Sequence, residues 1–100
     1  MALPDGNLAN ADAATLLRLG DRLAAAGDAR GAAAMYQRAA RQDPGNPDIL
    51  IKLGDVSWRA GALQQAVAYY DRALALAPEH RDALSRRARS YLIQNEPEEA

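Results

Sequence analysis

The chain has no cysteine and no phenylalanine among its 100 residues, and only one tryptophan and one histidine. The missing cysteines exclude disulfides, thiolate metal sites and a cysteine nucleophile; they say nothing about the redox compartment. With His80 as the only imidazole, in a turn after Pro78, no His-rich metal site and no Ser-His-Asp constellation beyond that one ring can be assembled. Long apolar runs are also missing: none approaches the ~18 consecutive residues of a membrane span. There is no glycine-rich phosphate loop, since Gly27 and Gly31 flank a helix cap and not a strand-to-helix turn. Neither sign of charge dominates: 12 Lys and Arg stand against 13 Asp and Glu, a formal net charge of −1. Nothing global steers such a chain to nucleic acid or an anionic membrane. The Arg81, Arg86, Arg87, Arg89 cluster is short, lacks an aromatic platform, and reads as a solvated helix face. Glu96, Glu98 and Glu99 favour a helix N-terminus. The first ten residues lack a basic region and a long apolar stretch, so they are not a signal peptide as they stand. No catalysis and no cofactor or metal is expected of this segment.

Hydrophobic residues make up 49% of the chain but aromatics only 5%. A core built from Ala and Leu suits helices lying closely on helices. Residues 1–11 read as a loose leader. Asp12 is a good N-cap for a first helix to about Ala26, with Leu16, Leu19, Gly20 and Leu23 on one face and Gly27 as a left-handed C-cap. Asp28 caps a second helix bearing Ala32, Tyr36, Ala39 and Ala40, ended by the breakers from Gln42 to Asn46. Pro47 opens a third helix ending at Gly61. A fourth runs from Leu63 to about Ala77 and is stopped by Pro78. A fifth spans about Arg81 to Gln94, with Asn95 in the place of the C-cap glycines, and Pro97 to Ala100 reads as the first turn of a sixth.

The halves of this pattern are copies offset by 34 residues. Leu16 aligns with Leu50, Leu19 with Leu53, Gly20 with Gly54, Gly27 with Gly61, Ala32 with Ala66, Tyr36 with Tyr70, Ala39 with Ala73 and Pro44 with Pro78. At these residues the chain resembles a tetratricopeptide repeat protein, with repeats at 13–46 and 47–80 and the opening of a third at 81–100. The resemblance implies an all-α solenoid of stacked antiparallel helix pairs over residues 12–100. It assigns Gly20 and Gly54 to close approach of paired helices, opposite Ala32 and Ala66, and Tyr36 and Tyr70 to the space between repeats. Two positions depart from the copies. Arg87 stands where Leu19 and Leu53 stand, at a normally buried site, and Ser57 stands where Leu23 and Tyr91 stand. Arg87 is expected to cap the array or to carry its head to water. Because Glu98-Glu99-Ala100 still follows the helix-opening pattern, the chain is expected to be cut from a longer protein. Leu84, Tyr91, Leu92 and Ile93 are expected to lie partly uncovered, inviting self-association through the C-terminal helix or coverage by a following one.

The resemblance further implies a non-catalytic scaffold that binds a peptide or partner segment in a concave groove lined by the first helix of each repeat. Matching positions give Leu17, Asp21, Ala24 and Ala25, then Ile51, Asp55, Trp58 and Arg59, then Ser85, Arg89, Leu92 and Ile93. Trp58 and Arg59 are residue types that anchor interfaces, although Trp58 can equally pack between neighbouring helices. In relatives that clamp chaperone C-terminal carboxylates, Lys and Asn stand where this chain has Leu17, Ser85, Asp21 and Asp55. Two carboxylates would repel such a tail, so a neutral or basic partner is expected, unless Asp55 simply pairs with Arg89. Two other settings stay open: a regulatory or targeting module leading a longer enzyme, such as a bacterial glycosyltransferase or methyltransferase, and a bacterial pilus-assembly or secretion factor, which the wording of residues 30–40 resembles. The setting expected is cytoplasmic, or periplasmic if a leader has been removed.

Overall fold

The computed structural model describes residues 11–94. They form five helices: α1 (Ala13–Ala25), α2 (Ala29–Gln42), α3 (Pro47–Arg59), α4 (Leu63–Leu76) and α5 (Arg81–Gln94). The described residues contain no strand. α1 pairs with α2 and α3 with α4 as tight hairpins; α2 then packs on α3, α4 on α5, and α3 touches α5. The chain is therefore an all-α stack of helix pairs. The leader up to residue 10 and the helix expected from Pro97 lie outside the described residues. Ala11 is anchored, its carbonyl accepting a hydrogen bond from Gln42 Nε2 at 2.6 Å.

Local chemistry sets the helix ends. Asp12 accepts from the Thr15 amide at 2.9 Å and Asp28 from the Gly31 amide at 2.8 Å, each satisfying an otherwise orphaned N–H. Asn46 caps α3 ahead of Pro47 by accepting from the Asp48 amide at 3.0 Å. Gly27 and Gly61 turn the chain out of α1 and α3 with φ of 88° and 84°. There the amides of Asp28 and Ala62 reach back to the carbonyls of Leu23 and Ser57. His80 opens α5: its Nδ1 accepts from the Ala83 amide at 3.4 Å while Nε2 lies 2.9 Å from Asp48 Oδ1. The one histidine thus joins the start of α5 to the start of α3.

Burial grades along the stack. Ile49, Leu50, Leu53 and Val56 of the central α3 are buried, with Tyr36, Ala66, Tyr70, Ala73 and Ala83 around them. The copies of Ile49, Lys52, Leu53 and Val56 in α1 are Thr15, Arg18, Leu19 and Arg22, which line a shallow depression at the N-terminal end. Leu19 is only half-buried there. The N-terminal end of the described array thus presents mainly polar side chains. The other end differs. Leu84, Tyr91, Leu92 and Ile93 of α5 are 42%, 43%, 72% and 43% exposed. Arg87 is half-buried; its guanidinium reaches Asp71 of α4 at 3.1 Å and lies 5.8 Å from the Tyr91 ring centre.

The glycines have a different neighbour from the one expected. A Cβ on Gly20 would come within 2.7 Å of Tyr36 Cδ1, and one on Gly54 would come equally close to Tyr70 Cδ1. Each glycine therefore accommodates a tyrosine ring of its own hairpin, and the nearest atoms are not those of Ala32 or Ala66. The tyrosines, 3% and 0% exposed, fill the inside of a hairpin as well as the seam between repeats.

Candidate functional site

The seated rings bring their hydroxyls to the groove. Tyr36 Oη donates to Asp21 Oδ1 at 2.6 Å, and Tyr70 Oη donates to Asp55 Oδ1 at 2.6 Å. The same two carboxylate oxygens meet a cation from the next repeat: Lys52 Nζ lies 3.0 Å from Asp21 Oδ1 and Arg86 Nε lies 3.0 Å from Asp55 Oδ1. Glycine, tyrosine, aspartate and the following cation thus form one unit, made twice. A hydrogen bond to a charged acceptor contributes about 1.5–3 kcal/mol, whereas half-exposed ion pairs contribute about 1 kcal/mol or less. The tyrosine bond is therefore the stronger member.

Proton affinities follow from this geometry. Burial pushes the Tyr36 and Tyr70 hydroxyls well above their ordinary value, and the carboxylate each one donates to pushes further. For Asp21, burial acts to raise the carboxyl, but the Tyr36 hydrogen bond and Lys52 outweigh it and hold the group below its ordinary range.

Asp21, Asp55 and Arg59 come together around a concavity of about 250 Å³ whose wall includes Ala24, Ala25, Tyr36, Lys52 and Val56. Arg89 and Trp58 meet beside it, the guanidinium carbon 4.7 Å from the ring centre. Asp55 therefore pairs with Arg86 and not with Arg89, which corrects the pairing considered from sequence. Trp58 is half-buried against the core, so it both packs and presents an edge. Leu17 is half-buried, while Ser85, Arg89 and Leu92 are exposed. Ile51 is not a groove surface: it is 6% exposed and belongs to the core. Sequence reasoning missed Lys52, Arg86 and the tyrosine hydroxyls. Their signal was present, because a cation follows each aspartate by 31 residues and a tyrosine follows each by 15.

Residues 17–80 match the tetratricopeptide repeat family, and residues 58–100 match it again. The chain belongs to the tetratricopeptide repeat family. No curated protein matches it. Tetratricopeptide repeats generally mediate protein–protein interaction, and such domains are typically non-catalytic scaffolds. Among the described residues no group of three or more His, Cys, Asp or Glu is placed to hold a metal ion. No described helix is long and apolar enough to cross a membrane. The third repeat departs from the other two at the unit just described. Ala88 and Arg89 stand where Gly20-Asp21 and Gly54-Asp55 stand, so α5 offers neither a seat for a tyrosine ring nor an acceptor for its hydroxyl.

Proposed function

We propose that this chain is a protein-binding scaffold whose concave groove, running from Asp21 past Asp55 and Arg59 to Trp58, Arg89 and Leu92, holds a segment of a partner protein. The observation that carries this reading is the open concavity between the first helices of successive repeats, whose wall residue Arg59 follows a half-buried Trp58. Trp and Arg are among the residue types most often found as anchors. The sequence-based expectation of a neutral or basic partner assumed two open carboxylates. Oδ1 of each already takes two donors, so that premise weakens. Affinity capture with the wild-type chain and with Trp58→Ala/Arg59→Ala tests the groove, with circular dichroism confirming that the variant keeps its helices. Partners retained by the wild type are expected to be lost from the variant; recovery of the same partners by both defeats the assignment.

A second reading is favoured by the contrast between the two ends of the stack. The α1 end is polar, whereas α5 exposes Leu84, Tyr91, Leu92 and Ile93. This supports weak self-association through α5, because these exposed side chains retain apolar area to bury. Light scattering is expected to show an apparent mass that rises with concentration, and Leu84→Ser/Tyr91→Ser should abolish the rise. A strict monomer at millimolar concentration would sink this reading.

A further inference from the structure

The groove reading leaves the chemistry of the occupant open, and the pairing of its charges narrows it. Asp21 is matched by Lys52 at 3.0 Å and Asp55 by Arg86 at 3.0 Å; Arg86 also lies 3.8 Å from the outlying Asp82. Two guanidiniums beside these pairs, those of Arg59 and Arg89, have no carboxylate within ion-pair distance among the described residues. Arg59 is exposed on the wall of the concavity. Arg89 lies over the Trp58 ring at 4.7 Å. Stacking occupies the face of a guanidinium and leaves its in-plane N–H groups free, which is the edge that meets a carboxylate two-pronged. Trp58 is half-buried against the core, and Leu92, 34 residues on at the matching position of α5, is exposed. We propose that the groove selects an acidic amphipathic segment, whose Asp or Glu side chains meet Arg59 and Arg89 while apolar side chains rest on Trp58 and Leu92. A basic segment would meet these two open cations first and would have to compete with Lys52 and Arg86 for carboxylates that already accept a tyrosine hydroxyl. The assignment does not involve a chain-terminal carboxylate: the ligand is a side-chain acid within a segment, and it rests on the groove reading above.

Trp58 is the chain's only tryptophan, so probes without tryptophan give a clean optical signal. A display library of random short peptides lacking tryptophan is panned against the full chain at low salt. Enriched peptides are then titrated while Trp58 emission is followed. The expected result is enrichment of net-negative peptides that change Trp58 emission and weaken at about 0.5 M salt. Arg59→Ala/Arg89→Ala, two exposed positions, should weaken them by at least about tenfold, while Arg41→Ala should not. Enriched peptides that are neutral or basic yet still change Trp58 emission would overturn the acidic assignment and leave the groove standing. Acidic peptides insensitive to both the emission readout and the double variant would show binding elsewhere and remove both. Failure of any peptide to enrich over the bare support also counts against both.

Discussion

Gly54→Ala is expected to change the sign of its effect according to what stands at position 70. In the wild-type chain a new Cβ at residue 54 meets the Tyr70 ring. That ring is fully buried and tied to Asp55 through its hydroxyl, so it has little room to give. Overpacking of this kind costs about 1–3 kcal/mol. Tyr70→Ala alone empties the seat and should cost about 3–5 kcal/mol, a large part of the ~5–15 kcal/mol that holds a small domain folded. In the Tyr70→Ala background the collision is gone. Gly54→Ala then gains helix propensity, about 0.5–1 kcal/mol, and fills part of the void. The two changes should therefore couple by about 1.5–4 kcal/mol, readable as a double-mutant cycle from urea midpoints. Additive effects would mean that the ring does not sit on the glycine. The third repeat already carries this change, with Ala88 in the glycine position.

The same unit shows what could be read from the chain and what could not. Gly20, Tyr36, Gly54 and Tyr70 recur at one offset, and that recurrence alone placed the hairpins and the stack. Helix ends were legible because Asp12, Asp28, Asn46, Gly27 and Gly61 act on their own neighbours. Depth was not legible. Leu17, Ile51 and Ser85 share one register position, yet they are half-buried, buried and exposed in turn, because among the described residues α3 has neighbours on both sides and α1 and α5 do not. Partner choice among cations was equally hidden. Arg86 and Arg89 are three residues apart on one helix, and only the reach of each side chain sends one to Asp55 and the other to Trp58. By position, two aspartates argued against a carboxylate tail; in the structure each is already paired with a cation of the next repeat.

Alkaline solution should unfold this chain through its two seated tyrosines. Burial comes first among the causes that raise the Tyr36 and Tyr70 hydroxyls; the Asp21 and Asp55 carboxylates add to it. Ionisation in place would bury a phenolate against a carboxylate and forfeit the hydrogen bond. The unfolded chain has no such obstacle and releases these protons near the ordinary value of 10.0. Below that pH both states keep the proton and the full stability is present. Above it the unfolded state alone ionises, and stability falls as pH climbs toward the raised folded values, by about 1.4 kcal/mol per pH unit for each phenol. Asp21 acts in the opposite direction: held below its ordinary 3.8, it contributes stability above that pH and loses it as pH falls through the lowered value. That acid limb should be the weaker, because Asp21 is half-exposed. Tyr36→Phe/Tyr70→Phe separates the alkaline effect from general base damage. The variant should be less stable near neutrality, having lost two hydroxyl-to-carboxylate bonds of about 1.5–3 kcal/mol each. It should also decline less steeply above about pH 10, since neither ring can ionise in either state. Urea midpoints followed by far-ultraviolet circular dichroism from about pH 8 to about pH 12 should therefore converge, the gap between the two proteins closing as the wild type loses its phenolic contribution. Parallel declines over that range would show that the hydroxyls titrate alike in the folded and unfolded chain, and that they are not held by Asp21 and Asp55.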